Sequence, residues 1–336
     1  MAHYRGLCAD TVYIGGGTPT CLDAELLTGL LRAIQNCFLL TDTCEITVEC
    51  NPKTVDDIYL KKLHSAGVNR LSVGVQSFCD RELELLGRLH NAEEAKKCIK
   101  LAQDCGFENI NLDLMFGLPY QTKEVFLESL ETALLLEPTH ISAYSLILEE
   151  GTLLAKRVES GELQLPDEEM ERDLYHFLIK RLAQDGYIHY EISNFARNGY
   201  ESKHNNKYWE RRPYIGLGAA AHSQFGNIRF GNPPQLDRYE QLVQMIPPCG
   251  RETELLTRTD EMAEFVFLGL RKVRGICKSD FSSKFATEIE TVYGSQLTKF
   301  RKLGLLEEHG NNICLTEKGI DVSNSIFCEF LPEEKV

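Results

Sequence analysis

The feature that most limits the fold of this sequence is a repeated unit of helix end, glycine, short link and strand. Three copies stand at "SAGVNRLSVGVQ" (65–76), "DCGFENINLDLMFG" (104–117) and "QDGYIHYEIS" (184–193). Gly67 and Gly106 are 39 residues apart and Gly186 follows 80 residues later, with a further strand, "LEPTHISAYSLIL" (136–148), between them. Strands and amphipathic helices that alternate at this period predict an α/β fold, a parallel sheet with helices packed outside it.

The strands of this repeat have one apolar face and one small or polar face. The alternation is clear in "EITVEC" (45–50), "RLSVGVQ" (70–76) and "NINLDLMFG" (109–117). A sheet covered on both faces favours continuous apolar runs, so a barrel with a ligand in its lumen explains the alternation better. Glu49, Gln76 and Asp113 lie on the polar face near the carboxyl ends of their strands, where barrel active sites form. The alternative is that they are hydrogen-bonded core residues of a barrel without a ligand.

A glycine-rich loop follows the first predicted strand, in "TVYIGGGTPT" (11–20). Three glycines in a row allow a ligand to approach the backbone closely. The loop matches neither the P-loop pattern nor the dinucleotide fingerprint, which disfavours nucleoside triphosphates and dinucleotides. A small, flat ligand lying along the strand ends is left as the functional interpretation, and a simple tight turn is the structural one.

Composition excludes several classes of protein. The net charge of -14 opposes nucleic-acid binding, and no apolar run approaches the roughly 20 residues of a membrane span. The twelve cysteines include no Cys-x-x-Cys pair, which disfavours structural zinc. The first residues, "MAHYRGLCAD", lack the features of a signal peptide, so we expect a cytoplasmic protein.

Further motifs resemble a known family along nearly the whole chain. In chain order they are "VYIGGGTPT", "ITVECNP", "RLSVGVQSF", "LLGRLHN", "NINLDLMFGLPYQT", "HISAYSLILEEGT" and "HYEISNFAR". Together they resemble the radical S-adenosylmethionine (radical SAM) family of oxygen-independent coproporphyrinogen III oxidase and its relatives. "HNNKYW" (204–209) and "GLGAAAHS" (216–223) are similar to the haem chaperone HemW branch. The resemblance implies a partial TIM-like barrel with a HemW-like extension over residues 1–225.

The same resemblance implies which side chains hold S-adenosylmethionine (SAM). Glu49 would accept hydrogen bonds near the ribose or amino group. Arg88 would pair with the methionine carboxylate, a natural partner for a guanidinium. The remaining residues would contact the methionine amino end (Gly16, Gly17 and Thr18) or the sugar (Gln76 and Asp113).

The family also holds a [4Fe–4S] cluster through a C-x-x-x-C-x-x-C motif, and this sequence contains no such motif. The resemblance therefore predicts that the family's first strand and cluster loop would precede Met1. No metal ligand is assigned in this chain, and strand 11–15 is expected to be an open edge of the sheet.

Haem is the cargo that the HemW-like stretch implies. His204 could bind haem iron through a neutral imidazole, with Tyr208 and Trp209 stacked on the porphyrin. Packing or helix capping is the structural alternative for this histidine. The implied function is a haem chaperone that transfers haem to haemoproteins and that could form a homodimer. The alternatives are a radical SAM coproporphyrinogen III oxidase and an inactive, cluster-free remnant.

The βα period stops near residue 225. Helices followed by a hairpin at "LLEEHGNNICLT" predict a winged-helix-like domain of the type found at the C-terminus of the oxidase HemN, over residues 226–336. Its turn is expected at Gly310, Asn311 and Asn312. Because its surroundings are acidic, we interpret this domain as an interaction surface rather than a DNA-binding module.

Overall fold

The computed structural model describes residues 6–245 and 252–332. The chain packs as two compact units, Met1–His204 and Asn205–Val336. The packing therefore changes at an earlier residue than the predicted domain boundary after residue 225.

The first unit is built on a seven-stranded sheet that forms a partial barrel, as the repeat predicts. Its strands are β1 (Cys8–Ile14), β2 (Leu39–Cys50), β3 (Arg70–Gln76), β4 (Asn109–Phe116), β5 (His140–Ser145), β6 (Ile188–Glu191) and β7 (Asn194–Ala196). Their order in the sheet is β1-β2-β3-β4-β5-β7-β6. The first five strands are parallel, and β1 lies at one edge of the sheet.

One predicted βα unit is different in the structure. The strand predicted within 184–193 forms the hairpin β6–β7, and β7 pairs antiparallel with β5. Only Ile192 and Ser193 connect the two strands, which is too short a link for a parallel crossover. Since β6 is antiparallel to β7, it runs in the same direction as β5, as predicted, but the unpredicted strand β7 lies between them.

Helices connect the parallel strands on the outside of the sheet. They are α1 (Ala24–Cys37), α2 (Asp57–Ser65), α3 (Asp80–Leu85), α4 (Ala92–Asp104), α5 (Lys123–Leu135), α6 (Leu153–Glu159) and α7 (Glu168–Gln184). Short 3-10 turns cover Pro19–Cys21 and Pro52–Thr54. Side-chain caps begin several of these helices; Asn91 and Glu94, for example, form a reciprocal capping box on α4.

The main core lies between these helices and the apolar face of the sheet. Leu71, Val73 and Val75 of β3 are each 0% exposed, and they are buried together with Ile46 and Val48 of β2 and with the apolar residues at positions 110, 112 and 114 of β4. The opposite face carries the polar residues of each strand and lines the lumen of the partial barrel. The predicted assignment of faces is therefore confirmed for β2, β3 and β4.

The second unit contains two three-stranded sheets. Its elements, with α8 starting at the end of the first unit, are α8 (Lys203–Trp209), β8 (His222–Phe225), β9 (Ile228–Gly231), α9 (Leu236–Gln244), β10 (Glu252–Leu255), α10 (Arg258–Gly269), β11 (Ile276–Cys277), α11 (Lys278–Phe285), α12 (Ile289–Lys302), β12 (Leu306–His309), β13 (Asn312–Leu315), α13 (Glu317–Asp321) and α14 (Ser323–Cys328). The sheets have the strand orders β10-β9-β8 and β11-β13-β12.

The predicted hairpin is present as β12–β13, next to helices α10 to α12. Gly310 takes a positive φ of 61° in its turn, whereas Asn312 already belongs to β13. This arrangement fits the winged-helix-like prediction. Across the described residues, no helix is both long and apolar enough to cross a bilayer.

Candidate functional site

The glycine loop after β1 is bonded to Glu49 of the neighbouring strand. The Gly16 amide donates to Glu49 Oε2 at 3.1 Å, and the Tyr13 hydroxyl donates to Glu49 Oε1 at 2.8 Å. A Cβ on Gly15 would lie 2.6 Å from the Glu49 carboxylate, so any larger residue there would displace that carboxylate. Gly16 and Gly17 have φ values of 90° and 145°, and a Cβ on either would face open space. The loop thus presents bare backbone beside a carboxylate.

Gln76 and Arg88 meet at the carboxyl end of β3. The Arg88 guanidinium donates to the Gly74 carbonyl oxygen at 2.7 Å, while its buried Nε has no hydrogen-bond partner among the described residues. Gln76 takes a positive φ of 70°, and its Oε1 accepts the Tyr144 hydroxyl at 3.1 Å. Burial lowers the pKa of Arg88. A cationic side chain with an unused donor therefore lies at the strand ends.

Asp113 lies on the same luminal face, on β4, and accepts Nδ2–H of Asn111 at 2.7 Å. Burial raises the pKa of Asp113 to about 6, although the hydrogen bond from Asn111 and the positive charge of Arg70 both act to lower it. Asp113 also acts on Tyr144 of β5. Burial raises the pKa of Tyr144 most, and the negative charge of Asp113 raises it further. The predicted polar residues of the three strands therefore form one connected region.

His204, the candidate haem ligand, belongs to the first unit and contacts strands β1 and β2. Its Nδ1 lies 3.0 Å from Thr11 Oγ1, and its ring stacks on Tyr13 with centroids 5.0 Å apart. Its backbone amide donates to Glu45 Oε1 at 3.0 Å, and that of Lys203 donates to Glu45 Oε2 at 3.1 Å. Glu45 is buried and caps the start of α8. The histidine is thus fixed next to the glycine-loop region.

Tyr208 and Trp209 belong to the second unit and have partners there. Tyr208 packs edge-on against Tyr214 with ring centroids 4.8 Å apart, and burial raises its pKa. Arg271 lies over the Trp209 ring at 4.4 Å from the centroid. Their predicted role as porphyrin-stacking residues stays a prediction.

A second polar layer lies at the amino ends of β4 and β5 and is bonded internally. The fully buried His140 donates from Nδ1 to Asn111 Oδ1, and its Nε2 accepts the Tyr190 hydroxyl at 2.8 Å. Asn111 also accepts from Ser142 at 3.1 Å and donates to Ser72 at 2.8 Å. Burial lowers the pKa of His140 well below its usual value, which keeps the ring neutral. This layer has the character of a structural network.

The residues present fit one implied cofactor better than the other. For SAM, the structure offers an uncovered glycine backbone, the Glu49 carboxylate and the unpartnered Nε of Arg88. For a [4Fe–4S] cluster, no three cysteines among the described residues lie close enough to share an ion. The cysteines that the structure describes are free thiols. The described residues therefore do not fit a [4Fe–4S] cluster.

Sequence reasoning missed Thr11, Tyr13, Glu45 and Tyr144. Glu45 and Tyr144 occupy polar positions of the same alternation that identified Glu49 and Gln76, so that signal could have found them. Thr11 and Tyr13 alternate along β1 in the same way. Their contacts with His204, however, join segments almost two hundred residues apart.

Comparisons with known proteins agree with this geometry. The Radical SAM superfamily profile matches residues 2–133, and the profile of the HemN C-terminal domain matches residues 256–322. The heme chaperone HemW of Bacillus subtilis is 40% identical over 324 residues, which cover 96% of this chain and 86% of that protein. The chain belongs to the HemW family. The resemblance inferred from the motifs is therefore confirmed.

A second HemW relative and a solved HemN structure support this assignment. The heme chaperone HemW of Lactococcus lactis is 38% identical over 325 residues, which cover 96% of this chain and 85% of that protein. The solved structure of coproporphyrinogen III oxidase (HemN) from Escherichia coli superposes with a TM-score of 0.82 at 25% identity. That match covers 96% of this chain and 78% of HemN, which confirms the radical SAM type of partial barrel followed by a C-terminal domain.

Proposed function

We propose that this HemW-family chain binds haem and transfers it to haem-accepting proteins, and that its partial barrel binds SAM. The position of His204 carries the haem part of the proposal. Two backbone amides bonded to the buried Glu45 fix this histidine against β1, with its ring stacked on Tyr13. A neutral imidazole is the usual protein ligand of haem iron.

The SAM part is supported by the arrangement around the glycine loop. Glu49, bonded to the loop through the Gly16 amide, would accept the methionine ammonium, while the bare backbone of Gly16 and Gly17 would let that end of the ligand approach closely. The unpartnered Nε of Arg88 suits a carboxylate, because a guanidinium and a carboxylate form charge-assisted hydrogen bonds. In this proposal, Gln76 and Asp113 would bond the sugar hydroxyls. Thr18 is exposed beside the loop and completes the proposed contacts.

Coproporphyrinogen oxidation is not proposed, because no observation on the described residues favours it. The identity of the haem acceptor and the formation of a homodimer both stay predictions. Cytoplasmic location is likewise an expectation from the sequence.

A haem titration of the purified full chain tests the proposal. We expect a saturable shift of the Soret band, and His204→Ala should weaken haem binding by at least about tenfold because an axial ligand is lost. His309→Ala is the matched control, since His309 is an exposed histidine on β12 with no place in the proposed site. Haem binding that is absent, or equal in all three proteins, would contradict the haem proposal.

SAM binding is measured separately by isothermal titration calorimetry. A saturable heat that is lost in Arg88→Ala supports the assigned site. If SAM binds equally well to Arg88→Ala and Glu49→Gln, the proposed SAM residues are wrong even if the protein binds haem.

A further inference from the structure

A glutamate, a histidine and a cysteine meet on one face of the hairpin β12–β13 in the second unit. The side-chain ligand atoms of Glu307, His309 and Cys314 all lie within 4.8 Å of one another. We propose that these three side chains bind a divalent transition-metal ion of the Zn²⁺ class, with water as the fourth ligand. None of the three belongs to the proposed haem or SAM contacts.

The register of the hairpin brings the three side chains together. Glu307 pairs directly with Cys314 across the two strands, and His309 follows Glu307 by two positions. Because side chains alternate along a strand and directly paired residues share a face, all three point to the same side. Glu308 points to the other side, where its carboxylate pairs with two basic side chains. Those cations therefore compensate Glu308.

The distances suit a tetrahedral ion. His309 Nε2 lies 3.1 Å from Glu307 Oε1, which gives an angle of roughly 100° at a metal bonded to both atoms at about 2.05 Å. A thiolate ligand needs its sulfur about 3.6 Å from the nitrogen and the oxygen. Since these atoms already lie within 4.8 Å, the side chains must close by at most about 1.2 Å. Glu307 and His309 are 48% and 69% exposed and are free to rotate by that amount.

The turn of the hairpin is tied to the start of α11. Asn311 donates from Nδ2 to Ser279 Oγ at 2.8 Å and to Cys277 Sγ at 3.3 Å. Its carbonyl oxygen accepts the Lys278 amide at 2.9 Å. A two-residue turn also sets the register of the strands that it joins. The ligands therefore stand on a fixed two-stranded ribbon, which favours the precise spacing that a metal site needs.

The set of ligands selects the class of metal. Imidazole, thiolate and carboxylate together suit Zn²⁺, whereas Mg²⁺ and Ca²⁺ take oxygen ligands. On binding, the S–H bond of Cys314 breaks, its sulfur bonds to the metal and the proton passes to solvent, without any change of oxidation state. Cys-x-x-Cys spacing does not detect such a site, because it contains a single cysteine.

Zinc titration of the reduced, metal-free full chain against a chromogenic chelator tests the site. The native chain should bind one equivalent of Zn²⁺ that Glu307→Gln, His309→Ala and Cys314→Ser each weaken at least about tenfold, because even residues that only support metal ligands contribute that much. Cys328→Ser is the matched control, since Cys328 is an exposed thiol in α14 of the same unit. No such equivalent in the native chain, or one that survives any of the three changes, overturns the site.

Cobalt tests the cysteine ligand directly. Co²⁺ in place of Zn²⁺ should give a thiolate-to-cobalt absorption band in the near ultraviolet that Cys314→Ser removes and Cys328→Ser keeps. A band that persists in Cys314→Ser overturns the assignment. Circular dichroism melts show whether Cys314→Ser folds; if it does not, Glu307→Gln and His309→Ala decide, because both side chains are exposed. His309→Ala should lose zinc and keep its haem affinity, so this site and the proposed function fail separately.

Discussion

Two polar layers line the same lumen: the upper layer lies at the carboxyl ends of the strands, and the lower layer lies at the amino ends of β4 and β5. They differ in how their hydrogen bonds are used. In the lower layer, His140 has a protein partner on each ring nitrogen and Asn111 is bonded through both its oxygen and its amide. In the upper layer, a Cβ on Gly16 or Gly17 would face open space, and Nε of Arg88 has no hydrogen-bond partner in the part of the chain that the structure describes. A polar lumen alone therefore does not identify a site. Unused hydrogen-bonding capacity fits a binding layer but does not define one by itself, since the buried Nε of Arg70 at the amino end of β3 also lacks a partner among the described residues.

The largest expected effect is on stability, in the lower layer. Replacing His140 by leucine leaves the buried Asn111 oxygen and the Tyr190 hydroxyl each short of one partner, at a cost of about 3 kcal/mol in unfolding free energy. Urea unfolding at pH 7 measures the loss. SAM affinity should stay within about twofold, since His140 has no place in the proposed SAM site. A large loss of SAM affinity together with unchanged stability would reverse the roles assigned to the two layers.

Asp113 lies between the two layers and should make stability depend on pH. Its pKa rises from an ordinary 3.8 to about 6 on folding, so the folded chain binds more protons between these values. The contribution of Asp113 to unfolding free energy therefore falls as pH rises from about 4 to about 6 and is constant above that range.

Asp113→Asn removes this pH dependence. Relative to the native chain, the variant should gain about 2 kcal/mol between pH 4 and pH 6. The full shift implies somewhat more, but the side chain keeps part of its contact with solvent. Urea unfolding of both proteins at half-unit pH steps gives the difference curve. A flat difference curve would show that Asp113 titrates normally in the folded state.

Glu49→Gln tests whether a residue of the upper layer affects SAM binding more than stability. Loss of a charge-assisted bond to the proposed ligand ammonium should weaken SAM binding about thirtyfold, or about 2 kcal/mol. Unfolding free energy should change by less than about 1 kcal/mol, because the glutamine oxygen can accept from the Gly16 amide while its NH2 group donates to the Tyr13 hydroxyl. Calorimetric titration and urea unfolding on the same preparations measure both quantities. A stability loss as large as that of His140→Leu would make Glu49 a structural residue.

Tyr144→Phe should have the smallest effect. It removes the single neutral hydrogen bond to Gln76, worth about 1 kcal/mol of stability. SAM binding should weaken only about threefold, through the loosened Gln76 side chain. Equal or larger losses than in Glu49→Gln would place Tyr144, rather than Glu49, at the centre of the site.

The sequence predicted the faces of the strands because period-two alternation is a local property. It located Glu49, Gln76 and Asp113 on one face, and the glycines at 67, 106 and 186 take the positive φ expected after a helix. The reversal at β6–β7 was missed, since Ile192 and Ser193 carry no strong turn signal.

Contacts between distant segments could not be predicted in this way. The bond from the His204 amide to Glu45 joins residues 159 positions apart. Periodicity predicts which face of a strand is polar, but it does not predict which helix terminus packs against that face. The HemW-like motif at 204–209 identified His204, whereas the residues that hold its side chain could be found only from the folded structure.

Tyr13 belongs to both proposed sites, since its ring stacks on His204 and its hydroxyl bonds to Glu49. Thermodynamic linkage through a shared residue is reciprocal. Whatever factor SAM imposes on haem affinity through Tyr13, haem imposes the same factor on SAM affinity. The total free energy of binding both ligands is therefore the same, whichever ligand binds first.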